Sequence, residues 1–216
     1  MFSDTLVKKI EKMPVIAVLV IDSAEDAVPL ARAMLRGGIS AMELTLRTPS
    51  AFDALKRIIN EVPEMLSGVG TILNTEQVKL CKEADAAYGV APGFNGDVVR
   101  AAQELSLAFA PGNMTPSELE AAYSLGCKVM KLFPAELAGG LEYLNNINAP
   151  YAHLDIKYIP LGGVSIDNLQ NYLQSPLILA VGGSWLAPRK LIQQKDWDQV
   201  SRNCEKAAEI IRKVRG

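Results

Sequence analysis

PVIAVLVIDSAEDAVPLARAMLRGGISAMELTL, residues 14–46, reads as a strand, a helix and a second strand. The first run, PVIAVLVI (14–21), is short, unbroken and rich in Val and Ile, as a parallel strand covered on both faces must be. SAEDAVPLARAMLRGG (23–38) carries a Ser N-cap, acids in its first turn and two glycines where the helix ends. ISAMELTL (39–46) then opens a second unit. The same alternation runs outward along the chain. Further short apolar runs are SGVGT (67–71), AAYGVA (86–91), LAFAPG (107–112), CKVMKLF (127–133), DIKYIPL (155–161) and LILAVGG (177–183). Between them lie helical stretches such as TPSAFDALKRIINEV (48–62), NTEQVKLCKEA (74–84) and TPSELEAAYSLG (115–126). Pro49 and Pro116 fall where a helix begins and needs no N–H; Gly37, Gly38 and Gly126 fall where helices end. Strand starts recur about every 20–30 residues, the length of one βα unit. Eight units behind one extra N-terminal helix predict an α/β fold, a (β/α)8 TIM barrel, as one domain over 1–216. An open doubly wound sheet is the alternative.

Composition removes several function classes. The chain has 216 residues, 49% hydrophobic and 21% charged, so it can bury a substantial core. Lys+Arg 22 against Asp+Glu 24 offers no cationic excess for a phosphate backbone, so no nucleic-acid partner is expected. Cys81, Cys127 and Cys204 lack CxxC spacing and read as reduced thiols rather than a disulfide framework. A single histidine, His153, leaves no His-rich metal site, and neither metal nor other cofactor is expected. The N-terminal MFSDTLVKKIEKM is charged and helical, and no apolar run reaches the ~20 residues of a membrane helix. A cytoplasmic protein without membrane partners is the expectation.

Some residues sit badly in a core. In 39–46, Met42, Leu44 and Leu46 share one face while Glu43, Thr45 and Arg47 share the other, because strand side chains alternate. If the apolar face meets the helices, a carboxylate and a guanidinium point into the barrel at the C-terminal end of a strand, where barrel enzymes build their sites. A structural ion pair would also satisfy two buried charges. In 127–133, Lys131 shares a face with Val129 and Phe133, with Met130 and Leu132 opposite. Apolar surroundings disfavour an ammonium, and a neutral amine can condense with a ketone; a lysine that snorkels to the mouth or pairs with Glu43 is the structural alternative. PLGGVS (160–165) and VGGSWL (181–186) place glycine pairs after the seventh and eighth strands, the usual phosphate site of barrels. Tight turns would use the same glycines. Thr71 of GVGT could offer a hydroxyl to a carboxylate. Pro92 and Pro111 read as turn residues, His153 as a surface residue, and Trp185 and Trp197 as packing.

The ordered set ELTLRT, GVGT, APG, PGNMTPSE, KLFPAE, PLGG and GGSWL resembles the 2-keto-3-deoxy-6-phosphogluconate (KDPG) aldolase family, whose relatives also cleave 4-hydroxy-2-oxoglutarate (KHG). The motifs run in the same order over essentially the whole chain. The resemblance implies a class I, metal-free aldolase on a (β/α)8 barrel, usually a homotrimer. Its substrate would be a phosphorylated 2-keto-3-deoxy sugar acid, split reversibly to pyruvate and glyceraldehyde 3-phosphate in sugar-acid breakdown. It also implies roles. Lys131 would form the Schiff base and Glu43 would move protons. Arg47 and Thr71 would hold the pyruvyl carboxylate, and Pro92 would line the pocket. The backbone around Gly162, Gly163, Gly183 and Ser184 would bind the phosphate. Two positions depart from the pattern. The family's PTGG loop reads PLGG here, so Leu161 removes a hydroxyl that could contact the C4 or C5 region, a loss of ~1–3 kcal/mol in a polar site. A relative acting on the galactonate epimer also carries an apolar residue there, so weaker discrimination between C4 epimers is expected. Val20 stands where some relatives have an arginine, which shifts phosphate binding toward backbone N–H groups. Two other readings compete: a phosphate-binding barrel without turnover, and another barrel enzyme of phosphorylated small molecules, such as an isomerase or a thiamine-phosphate-type synthase. Neither needs both Glu43 and Lys131.

Overall fold

The computed structural model describes residues 1–216. Its strands are β1 (Val15–Leu19), β2 (Ala41–Thr45), β3 (Leu66–Gly70), β4 (Tyr88–Val90), β5 (Phe109–Ala110), β6 (Gly112–Asn113), β7 (Val129–Leu132), β8 (Lys157–Pro160) and β9 (Val181–Gly183). The helices are α1 (Asp4–Lys12), α2 (Ala27–Arg36), α3 (Ala51–Glu61), α4 (Thr75–Glu83), α5 (Gly96–Glu104), α6 (Pro116–Ser124), α7 (Gly140–Asn148), α8 (Leu169–Gln174), α9 (Arg189–Gln193) and α10 (Trp197–Arg215). Every strand pair is parallel, in the ladders β5-β4-β3-β2-β1-β9 and β6-β7-β8. β5 and β6 are halves of one strand, broken at Pro111, which has no N–H for a ladder. The Pro111 carbonyl still accepts from Lys131 N at 2.9 Å, so that break does not open the sheet. At the other junction Tyr158 bridges Ile178, and its carbonyl accepts from Leu179 N at 3.0 Å. The sheet therefore curls round on itself. With β5 and β6 counted once, the eight predicted strands and the extra N-terminal helix are all present.

Alternation along the strands sorts the apolar residues into two layers. Val15, Ala17, Leu19, Met42, Leu44, Met130 and Leu132 join the helices in a cluster of 54 buried residues outside the sheet. Ile16, Val18, Ala41, Tyr88, Val90, Val129, Ile159 and Leu161 belong to a separate cluster of 13 inside it. Ile10 of α1 joins the inner cluster, with Phe2, Leu6 and Val7 packed alongside, so α1 plugs the N-terminal end of the barrel. The C-terminal end is left unplugged, and it is toward that end that β2 and β7 carry Glu43 and Lys131 on their inward faces.

Helix starts follow local chemistry. Asn74 Oδ1 accepts from Gln77 N at 2.9 Å and Asn95 Oδ1 from Asp97 N at 2.9 Å. Thr115 and Glu118 form a reciprocal capping box, with Pro116 at the first helical position. Elsewhere the boundaries move. Pro49 lies in the turn before α3, which starts at Ala51, because Thr48 and Ser50 both donate to the Ile21 carbonyl, at 2.6 and 3.0 Å. Gly182 and Gly183 lie within β9, where they pair with Ile16 and Ala17, and so are not a loop after the strand; the loop begins at Ser184. Arg47 lies two residues beyond the end of β2, exposed at the barrel mouth rather than inside it with Glu43. Trp185 packs beneath Gly183, Trp197 is half-buried at the start of α10, and His153 is exposed.

Candidate active site

Glu43 and Lys131 meet inside the barrel. Lys131 Nζ donates to Glu43 Oε1 at 3.1 Å and lies 3.5 Å from Oε2. The two residues are only 4% and 2% exposed, and neither has another ionic partner. Two buried charges at this spacing satisfy each other; removing either would strand the other at a cost of ~3–5 kcal/mol. The Phe133 ring covers the amine from the mouth side, its centroid 5.5 Å from Nζ.

Glycines make room for the pair. A side chain on Gly70 would put its first carbon 1.8 Å from Glu43 Oε1 and 2.6 Å from Cγ. One on Gly68 would fall 2.1 Å from the ring of Tyr88. The G-x-G of β3 thus clears two inward positions, one for the carboxylate and one for the ring. Tyr88 is wholly buried and donates to the Met42 carbonyl at 2.8 Å, next to Glu43 in the chain. Burial, reinforced by the charge of Glu43, pushes its hydroxyl well above the usual tyrosine range, so it stays a donor. Thr45 Oγ1, on the same inward face as Glu43, is spent on the Leu19 carbonyl of the neighbouring strand at 2.8 Å.

Above Lys131 lies a cavity of about 260 Å³. Its walls include Arg47, Thr71, Pro92, Lys131, Leu161, Gly162, Gly163, Gly183 and Ser184, nine of the ten sequence-predicted positions; Glu43 lies below, reached through Lys131. Thr71 holds a left-handed backbone at φ 62°, a conformation a β-branched residue rarely adopts and one that clusters at functional sites. Arg47 forms no ion pair and faces the cavity from the rim. Gly162 and Gly163 hold φ 90° and 87° in succession, and their N–H groups have no acceptor within the protein. The Ser184 N–H is likewise free. The Leu161 side chain lies over Gly182, where an added Cβ would come within 2.4 Å of its Cγ. With Val18 and Val20 it makes one wall of the cavity apolar. The site therefore offers a paired amine at its floor and free cationic and N–H donors above, a layout for a ligand anionic at two places. A larger cavity of about 490 Å³ opens at the opposite end of the barrel beside α1, but its one buried polar side chain, Ser67, is already bonded to the Met65 carbonyl.

Sequence reasoning did not single out Tyr88, Gly68 or Gly70. An aromatic in an otherwise small-residue strand, AAYGVA, facing the glycines of SGVGT, was the available signal.

A barrel with a buried lysine–carboxylate pair beneath free cationic and N–H donors has a layout suited to an aldolase-type lyase. The family model for KDPG and KHG aldolase matches residues 6–203, and the chain belongs to that family. It is 36% identical to the 2-dehydro-3-deoxy-phosphogluconate aldolase of Haemophilus influenzae over 207 residues, 96% of this chain and 97% of that one. It is 38% identical to the KHG/KDPG aldolase of Escherichia coli K12 over 196 residues, 91% of each chain. Among solved structures, the KDPG aldolase of Legionella pneumophila, captured with pyruvate as a covalent carbinolamine, superposes with a TM-score of 0.89 at 35% identity, covering 95% of this chain and 98% of that one.

Proposed function

We propose that this aldolase works through a Schiff base on Lys131 and cleaves KDPG to pyruvate and glyceraldehyde 3-phosphate. The observation that carries the reading is the 3.1 Å contact of Lys131 with Glu43 at the floor of the cavity. Glu43 takes the ammonium proton and leaves a neutral amine, which adds to the C2 ketone to give a carbinolamine. Glu43 returns that proton to the carbinolamine hydroxyl, which leaves as water and produces the protonated imine. The carboxylate, through a water, then accepts the C4 hydroxyl proton. The C3–C4 bond breaks, its electrons pass through C3 to the iminium nitrogen, and the aldehyde departs from the enamine. Protonation at C3 and hydrolysis release pyruvate and restore the amine. Because the imine is the electron sink, the chemistry requires no metal, and activity in EDTA is expected to be unchanged.

Arg47 and Thr71 would take the pyruvyl carboxylate, and the N–H groups at Gly162, Gly163 and Ser184 the phosphate, with Pro92 and Gly183 as walls. Borohydride reduction with pyruvate, followed by peptide mapping, tests the mechanism. A reduced pyruvyl adduct on Lys131 is expected, and its absence in folded protein would refute it. The substrate is tested by kcat/KM on KDPG against KHG. The same reading makes the chain one cytoplasmic aldolase domain over 1–216, assembled as a homotrimer; sedimentation equilibrium tests the assembly. Leu161 supports a second, stereochemical reading: an apolar wall beside the reacting carbons discriminates weakly between the gluconate and galactonate epimers.

A further inference from the structure

The anion-binding role proposed for Gly162 and Gly163 depends on where their N–H groups point, and another loop sets that direction. Ala135 N donates to the Leu161 carbonyl at 2.7 Å and Glu136 N to the Gly162 carbonyl at 2.9 Å. The peptides joining residues 161–163 are trans, so each carbonyl is antiparallel to the N–H of the next residue. Tying both carbonyls to the turn after β7 therefore turns the N–H groups of Gly162 and Gly163 away from it. Contact between the loops is close: a Cβ on Gly163 would lie 2.4 Å from Glu136 Cβ, and one on Gly162 3.1 Å from Pro134.

That turn is itself held by one side-chain bond. Tyr172 OH donates to Glu136 Oε1. Tyr172 is buried in α8, the helix that follows the glycine loop, and its hydroxyl is kept protonated by burial and by the carboxylate. Asn168, just before α8, also reaches back, accepting from Ser165 N at 2.8 Å and donating to the Gly163 carbonyl at 3.4 Å. Gly140, at φ 62°, leaves room for the bond, since a Cβ there would lie 2.9 Å from Glu136 Oε1.

We infer that Glu136 and Tyr172 are positioning residues for phosphate recognition: their hydrogen bond locks the turn after β7 onto the glycine loop, aims its N–H groups at the anion and holds the Glu136 carboxylate aside. This rests on the phosphate reading given above. Two effects follow from breaking the bond. The donors lose their fixed direction, and a released carboxylate repels the anion. Glutamine at 136 keeps the acceptor and removes the charge.

The test compares wild type, Y172F, E136A and E136Q. KM for KDPG and the competitive Ki of inorganic phosphate are measured beside the exchange of pyruvate methyl protons in D2O, a reaction without phosphate. Y172F and E136A are expected to raise both constants about tenfold, while E136Q stays within about twofold of wild type. Pyruvate exchange is expected to stay within about twofold in all variants. Unchanged KM and Ki in Y172F and E136A, or exchange slowed as much as cleavage, would overturn the inference. A wild-type enzyme that inorganic phosphate does not inhibit would overturn the phosphate assignment itself, and this inference with it.

Discussion

Gly70→Ala offers a sharp test of how the floor of the site is built. Gly70 ends β3 and is not in a left-handed conformation, so alanine strains no backbone angle there. The nearest conflict is with Glu43: the new carbon would stand 1.8 Å from Oε1, 2.5 Å from Cδ and 2.6 Å from Cγ. Ordinary contact begins at 3.4 Å, so the carboxylate oxygen must retreat by about 1.6 Å. A displacement of that size is large against the 3.1 Å Lys131–Glu43 bond and would disturb its geometry. Misplacing a reacting group by about 1 Å costs ~10²-fold, so kcat/KM is expected to fall by about 10² or more, or ~2.7 kcal/mol in the barrier. Overpacking should lower stability by ~1–3 kcal/mol, leaving a folded protein. Steady-state cleavage, with pyruvate released as the readout, measures the first; thermal unfolding measures the second. In an E43A background the added methyl meets no carboxylate, so G70A should cost less stability there than in wild type. A G70A enzyme within threefold of wild type in kcat/KM would refute the argument that Gly70 is there to seat Glu43.

Leu161→Thr should shift the ratio of kcat/KM for the gluconate over the galactonate epimer upward by about 10-fold, equivalent to one ~1.4 kcal/mol hydrogen bond. A strong gluconate preference in wild type that the threonine leaves unimproved would defeat that reading. The thiols give a pH prediction: burial pushes Cys81 and Cys204 up to about 12 and Cys127 up to about 11, from an ordinary 9.0. Below pH 9 both folded and unfolded chains carry neutral thiols. Between pH 9 and about 11 these thiols lose protons in the unfolded chain and keep them in the folded one, so their contribution to stability should fall as pH rises through that range, with Cys81 and Cys204 extending the fall toward 12. Native protein should also resist iodoacetamide at pH 8 while urea-unfolded protein reacts at all three cysteines; brisk labelling of the native state would contradict the burial.

The barrel could be read from the chain because each strand carries its own evidence. Val15–Leu19 and Ala41–Thr45 are continuous apolar runs broken only where Glu43 and Thr45 face inward, and the intervening helix is bounded by Ser23 and by Gly37 and Gly38. Period-two alternation likewise put Lys131 on the face opposite Met130 and Leu132, as the two core layers bear out. Boundaries were harder, because they depend on distant partners. α3 starts late because the hydroxyls of Thr48 and Ser50 bond a carbonyl 27 and 29 residues away. Gly182 and Gly183 look like a loop by composition, yet pairing with β1 makes them strand.

By itself the sequence determined the order of elements, the inward faces of β2 and β7, and the glycine pair that must turn at 162–163, because these follow from local period, capping and φ freedom. Tertiary structure decided the rest. The contact between Glu43 and Lys131 joins residues 88 apart, and only closure of the sheet brings them to 3.1 Å. It set Arg47 at the rim, placed Tyr88 in the space left by Gly68, and tied Glu136 to Tyr172 across the glycine loop. These are relations between side chains on different strands and helices, and no local pattern encodes a distance that exists only once the barrel has closed.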